Sequence, residues 1–212
     1  MNRSSRTLAL ACVATLVAGC GGVGQDTLEI SVRYPSTPLN LFSPTTVQPI
    51  LDGFDDHDAH CGLTSGQMAP GMRLTDDCTI TGTPTTAGFY SFSFVITAEQ
   101  AEGSVGSSSS ITVRGPTVAY AVHTSPALAL GQAVSDAPQV TGWTPPPSGA
   151  TWSYQLASGA LPPGITLNAT TGVVSGNPTA AGSHVAQIQS TVTTAAGSYS
   201  PSVSAYVANV SP

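Results

Sequence analysis

The chain has 212 residues, only 8% of them charged, and carries a formal charge of −6 with no lysine at all. Five basic against 11 acidic residues exclude a protein that tracks nucleic-acid phosphates, and the missing lysine removes P-loop and Schiff-base chemistry. With 26 Ser, 27 Thr, 22 Gly and 17 Pro the polar surface must come from hydroxyls and backbone, while 41% apolar residues suffice for a core, so an ordered, β-rich chain is expected.

In chain order, Arg3 and Arg6 precede an uncharged run from Leu8 to Ala18, too short to span a hydrocarbon core of about 30 Å. It reads as a secretory signal. Its end, Leu16, Val17, Ala18, Gly19 and Cys20, resembles the lipobox of bacterial lipoproteins. That resemblance implies a leader over 1–19, cleavage before Cys20, and acylation of the Cys20 thiol, which ties the chain to a membrane. An ordinary cleaved signal or an uncleaved anchor is the alternative. The processed chain keeps 193 residues and a charge of −8, so acidic lipid would not attract it and two or more acyl chains must hold it. Residues 20–26 form a Gly-rich tether of about 13 Å. Gly21 after the cysteine resembles the enterobacterial signal for outer-membrane sorting, which applies to a Gram-negative host.

Beyond the tether the chain repeats itself. Pro70, Gly71, Met72, Arg73 and Leu74 return as Pro163, Gly164, Ile165, Thr166 and Leu167, 93 residues later. Ile80, Thr81, Gly82, Thr83 and Pro84 return as Val174, Ser175, Gly176, Asn177 and Pro178 at a shift of 94. Two units, 27–114 and 115–212, follow from this repeat. In the first, period-two alternation predicts a strand with Leu28, Ile30, Val32 and Tyr34 inward and a later one with Tyr90, Phe92, Phe94 and Ile96 inward. Ile111 and Val113 then follow a Gly- and Ser-rich hairpin loop. In the second unit the inward sets are Val118, Tyr120 and Val122; Trp152, Tyr154 and Leu156; Ala186 and Ile188; and Val203, Ala205 and Val207. No stretch has a helical period, and short strands at this spacing predict an all-β chain of two tandem Ig-like antiparallel sandwiches.

Cys12 leaves with the leader and Cys20 takes the lipid, which leaves Cys61 and Cys78 as an even pair in an oxidising compartment. They flank the Pro70 and Gly71 turn, and a disulfide closing a loop of about 17 residues would be worth about 3 kcal/mol. Two free thiols or an intermolecular bond remain open. Asp52, Asp55, Asp56, His57, Asp58 and His60 form the dense polar cluster of the chain, with Asp76 and Asp77 brought near by the cysteine link. Its oxygens suit calcium, and His57 with His60 suits a transition metal; the other reading is a solvated acidic loop, since the EF-hand pattern is missing. Trp143, ahead of Pro145, Pro146 and Pro147, either offers an aromatic face to a sugar or Pro-rich ligand or packs inside. His184 aligns with Tyr90 at a half-buried strand position, and His123 follows a strand with no evident partner.

The second unit carries Tyr154, Leu156, Leu161, Pro162, Pro163, Gly164, Ile165 and Leu167, then Gly172, Val174, Gly176, Pro178 and Gly182. This pattern resembles the putative-Ig family of bacterial surface proteins, related to dystroglycan-type cadherin-like domains. The first unit departs from it, with Cys61 for the Tyr, Met68 and Ala69 for Leu-Pro, and Cys78 near the Gly. The resemblance implies an Ig-like fold outside the cytoplasm and no single activity. The sequence has no Gly-x-Ser-x-Gly elbow, no His-Glu-x-x-His and no Gly-rich phosphate loop, and Glu29, Glu99 and Glu102 are not arranged as a glycosidase pair. The expectation is a membrane-anchored envelope lipoprotein that presents Ig-like modules to a protein or glycan ligand, without catalysis and without a cofactor unless the acidic loop takes calcium. The alternative is a structural spacer or subunit of an envelope complex. Asp136 is the one charged residue of the second unit, so recognition there rests on shape and hydroxyl hydrogen bonds.

Overall fold

The computed structural model describes residues 14–15, 29–52, 59–98, 104–143 and 145–212, and the chain divides into two compact units, Met1–Arg114 and Gly115–Pro212. Among the described residues every regular element is a strand, and no helix is long and apolar enough to cross a membrane. The leader from 1–13, Leu28, the tether and Cys20 lie outside the described residues.

In the first unit the strands are β1 (Ala14–Thr15), β2 (Glu29–Arg33), β3 (Leu39–Asn40), β4 (Thr45–Val47), β5 (Ile50–Asp52), β6 (Ala59–Gly66), β7 (Met72–Leu74), β8 (Ile80–Gly82), β9 (Gly88–Ala98) and β10 (Ser104–Arg114). One sheet runs β3-β10-β9-β6, with β3 parallel to β10 and the rest antiparallel; the facing sheet runs β4-β8-β7, and β2 pairs with β1 and β5. Phe92, Phe94 and Ile96 of β9 point into the space between the sheets with Val32, Leu41, Ile80, Ile111 and Val113. Burying each such side chain contributes about 1.5–3 kcal/mol.

The second unit repeats that plan with β11 (Thr117–Ala119), β12 (Val122–Ala129), β13 (Val134–Asp136), β14 (Gln139–Thr141), β15 (Thr151–Gly159), β16 (Ile165–Leu167), β17 (Val174–Gly176), β18 (Gly182–Thr194), β19 (Gly197–Tyr199) and β20 (Ser204–Ser211). Its sheets run β12-β20-β18-β15 and β13-β17-β16, and β19 adds to β18. Even the irregularities coincide. A bulge interrupts pairing between Leu63 and Ser65 of β6, and another between Leu156 and Ser158 of β15, 93 residues on. Cys61 N–H donates to the Asp76 carbonyl at 2.7 Å, and Tyr154 N–H to the Ala169 carbonyl at 2.8 Å. The Tyr34 hydroxyl donates to the Cys78 carbonyl at 2.6 Å, and the Tyr120 hydroxyl to the Gly172 carbonyl at 2.9 Å. Together these make both units Ig-like sandwiches of one design.

Four expected positions differ. The Ser-rich segment expected as a hairpin loop is the body of β10, with Val105 buried and Ser107 and Ser109 half-buried between the sheets. Small hydroxyl residues fit there opposite the large Phe92 and Phe94. Val122 is exposed, because β11 ends at Ala119 and the chain restarts as β12 with its alternation reset. Leu156 is exposed at the bulge of β15. In β20 the buried set is Ser204, Tyr206, Ala208 and Val210 rather than Val203, Ala205 and Val207.

Candidate functional site

The Cys61 and Cys78 sulfurs are bonded, with their Cα atoms 4.9 Å apart. Cys78 sits at a φ of +61° and is fully buried, so this link joins β6 to the turn between β7 and β8 inside the first unit. Beside it, His60 Nδ1 meets Asp76 Oδ2 at 2.8 Å on the surface. Asp77 accepts from the Thr75 and Thr79 hydroxyls, and these bonds, the Thr75 one foremost, hold its carboxyl below the usual range. Asp55, Asp56, His57 and Asp58, the rest of the expected metal cluster, lie outside the described residues. No group of three or more His, Cys, Asp or Glu side chains among the described residues is placed to hold a metal.

Trp143 does not offer a free face. It is 8% exposed and packs on Trp152 with ring centroids 6.1 Å apart, and Trp152 in turn stacks on Tyr154 at 5.9 Å. Three aromatic rings thus fill one end of the sandwich, and the outward part of that loop is left to Pro145 and Pro146. Of the two readings of Trp143, packing inside is the one this burial matches, since its ring lies against Trp152 and is 8% exposed.

His123 has a partner the sequence did not disclose. Its Nε2 lies 2.7 Å from Asp136 Oδ2, and the same oxygen accepts from the Tyr206 hydroxyl at 2.9 Å. The three residues come from β12, β13 and β20, so they bridge both sheets. Asp136 is 15% exposed in this bridge. Burial, foremost, and the Asp136 carboxylate push the Tyr206 hydroxyl pKa up, so it stays a donor. By strand register Asp136 corresponds to Val47 of the first unit, which pairs with Ile80 as Asp136 pairs with Val174. The arrangement clamps the two sheets through one carboxylate oxygen. His184 is half-buried, as expected, with its Nε2 bonded to nothing among the described residues.

One open feature of the second unit is a hollow of about 560 Å³ along the edge of β15. Tyr154, Gln155 and Leu156 of β15, the turn from Gly159 to Pro163, and Ile165, Thr166 and Leu167 of β16 line it. Its walls are mostly aliphatic, with Tyr154, Gln155 and Thr166 as the residues that bear side-chain polar groups. Leu156 is 46% exposed there, and Leu63 of the first unit, beside the equivalent bulge, is 49% exposed. Apart from the bridged Asp136 the unit has no acidic or basic side chain other than its two histidines, so the hollow opens on a charge-free surface. Sequence reasoning passed over this site, since Leu156 reads as a core residue and only its place on the edge strand, over the hollow, leaves it exposed.

Comparison with known proteins bears on the fold. Residues 116–209, almost the whole second unit, match the family described as Putative Ig domain. No curated protein matches the chain by sequence. Among solved structures, Drosophila N-cadherin EC1-3 is similar at 14% identity and a TM-score of 0.33, over 84% of this chain and 66% of that one. A SusE-like surface located polysaccharide binding protein from the Bacteroides thetaiotaomicron heparin utilisation locus is similar at 14% identity and a TM-score of 0.31, over 85% and 34%. An endo-fucoidan hydrolase from glycoside hydrolase family 107 is similar at 17% identity and a TM-score of 0.27, over 82% and 27%. The chain spans about a quarter of that hydrolase and a third of the polysaccharide binding protein.

Proposed function

We propose that this chain, whose second unit is a member of the putative-Ig family, is an envelope lipoprotein held to a membrane by lipid on Cys20 and acting as a binding module. The observation that carries the reading is the open aliphatic hollow on the uncharged second unit, in a fold built for presenting surfaces. Electrostatic steering is negligible there, so the partner, a protein or a glycan, is met by shape and hydrogen bonding. In a Gram-negative host the outer membrane is the destination that Gly21 favours.

The test has two arms. Cys20→Ser should abolish incorporation of labelled fatty acid and leave the precursor unprocessed by signal peptidase II. Purified protein spanning 20–212 should bind on peptide or glycan arrays. Unchanged labelling sinks the anchor. Silence on both arrays, together with an envelope protein that co-purifies in fixed stoichiometry, favours the structural-subunit alternative.

A further inference from the structure

Resting on that binding reading, we propose that the outer edge of β15 takes up an uncharged, extended peptide segment as an added strand, with one apolar side chain of the segment seated in the neighbouring hollow. β15 is the last strand of its sheet. The N–H of Tyr154 points away from β18, to the Ala169 carbonyl, so strand alternation turns the N–H and C=O of Leu156 to that same outer side. No backbone hydrogen bond among the described residues covers Leu156 on that side. An edge with free main-chain groups beside a side-chain pocket is the geometry of strand addition, where main-chain bonds give affinity and the pocket gives selectivity. Here Leu161, Ile165 and Leu167 are among the lining residues and offer an apolar wall to a side chain of the segment.

Charge and surface chemistry decide the occupant. A charged segment would face a unit whose one acidic group is already engaged by His123 and Tyr206, so it would be desolvated without compensation. A sugar ring would want an aromatic face, and both Trp143 and Tyr154 are buried. An uncharged peptide meets neither objection. Leu63 beside the matching bulge of β6 is exposed too, but His60 and Asp76 give that edge a charged neighbour, so the uncharged segment goes to the second unit.

The experiment uses protein spanning 20–212 against a glass-bound array of capped, uncharged octapeptides alternating apolar and hydroxyl residues, with a neutral glycan array in parallel. Array hits should bind with an affinity that changes less than twofold between low and high salt, and should slow hydrogen exchange at the Leu156 amide. N-methylation of alternate peptide nitrogens should abolish binding, and Leu156→Asp should weaken it at least tenfold. Since a misfolded variant would mimic that loss, Leu156→Ala, with its melting temperature checked, should give a smaller loss of the same sign. No peptide binding, binding indifferent to N-methylation, or unprotected Leu156 overturns strand addition. Glycan binding with no peptide binding also overturns it, while leaving the broader binding role standing.

Discussion

Tyr154 lies directly over Gly172. A Cβ built on Gly172 would stand 2.7 Å from Cε1 and Cζ of the Tyr154 ring, and the backbone there has a φ of +71°. In the first unit the residues at these two places are Cys61 and Cys78, and they are bonded to each other. One unit fills the gap between β15 and the turn before β17 with a ring against bare backbone; the other fills it with two sulfurs.

The two solutions should be interchangeable. Replacing both cysteines by Ala is expected to lower the unfolding free energy of the first unit by about 3 kcal/mol. Cys61→Tyr with Cys78→Gly should recover part of that loss, and Gly172→Ala should cost the second unit about 2 kcal/mol through its left-handed backbone and the ring contact. Urea denaturation of each variant checks this. A Tyr/Gly variant no more stable than the Ala/Ala one would refute the equivalence.

Removing Asp136 leaves the Tyr206 hydroxyl of a fully buried ring, and the half-buried His123 Nε2, without their acceptor. Asp136→Ala should therefore destabilise the second unit by about 3 kcal/mol. Tyr206→Phe added to it should cost clearly less than in the wild-type background, since the orphaned hydroxyl goes with it. Additive losses in a double-mutant cycle would show that the two groups act independently.

Trp143→Ala opens a cavity against Trp152 and is expected to cost about 3 kcal/mol. Peptide affinity at the β15 edge should be unchanged, since Trp143 is not among the residues lining the hollow. Lost affinity with unchanged melting would return Trp143 to the surface.

Acid and base should stress the chain differently. Asp77, held below the usual carboxyl range by the Thr75 hydroxyl first of all, binds fewer protons when folded than when unfolded. Its contribution is present above about pH 4 and is lost as pH falls below that. Asp77→Asn should flatten the acid limb of a stability profile. Burial raises the pKa of Tyr34 in the first unit and of Tyr120, Tyr154 and Tyr206 in the second. Their contribution is full below about pH 10 and is lost as pH rises above it. Three such groups against one should make the second unit the more base-sensitive, and both tryptophans, Trp143 and Trp152, lie in that unit and report on it by fluorescence. Alkaline unfolding that spares the Trp signal would contradict this.

The repeat, the turns and the β9 core were legible because Pro, Gly and alternating aromatics carry strong local rules. The disulfide was legible by elimination. What hid was parity. Val203, Ala205 and Val207 look as apolar as Tyr206, Ala208 and Val210, and only the tertiary partners decide between them: Ser204 reaches the Val118 carbonyl and Tyr206 reaches Asp136. Leu156 keeps the inward parity, opposite Ile188, yet it lies on the edge strand over the hollow and stays exposed, which its letter alone does not show. For the clamp, a hint was present in Asp136, a lone carboxylate in an uncharged unit and so a group in want of a partner.

The difference between the two gap fillings also bears on how the chain folds. Tandem copies whose strands have matching slots are prone to exchanging them during folding. A hybrid sandwich pairing β6 with the turn of the second copy would set Cys61 beside Gly172 and leave a void. The opposite hybrid would press the Tyr154 ring onto the side chain of Cys78, at the place where Gly172 leaves no room even for a Cβ. Sulfur matches sulfur and the ring matches bare backbone, so a mispaired hybrid carries a void or a clash that neither native pair has.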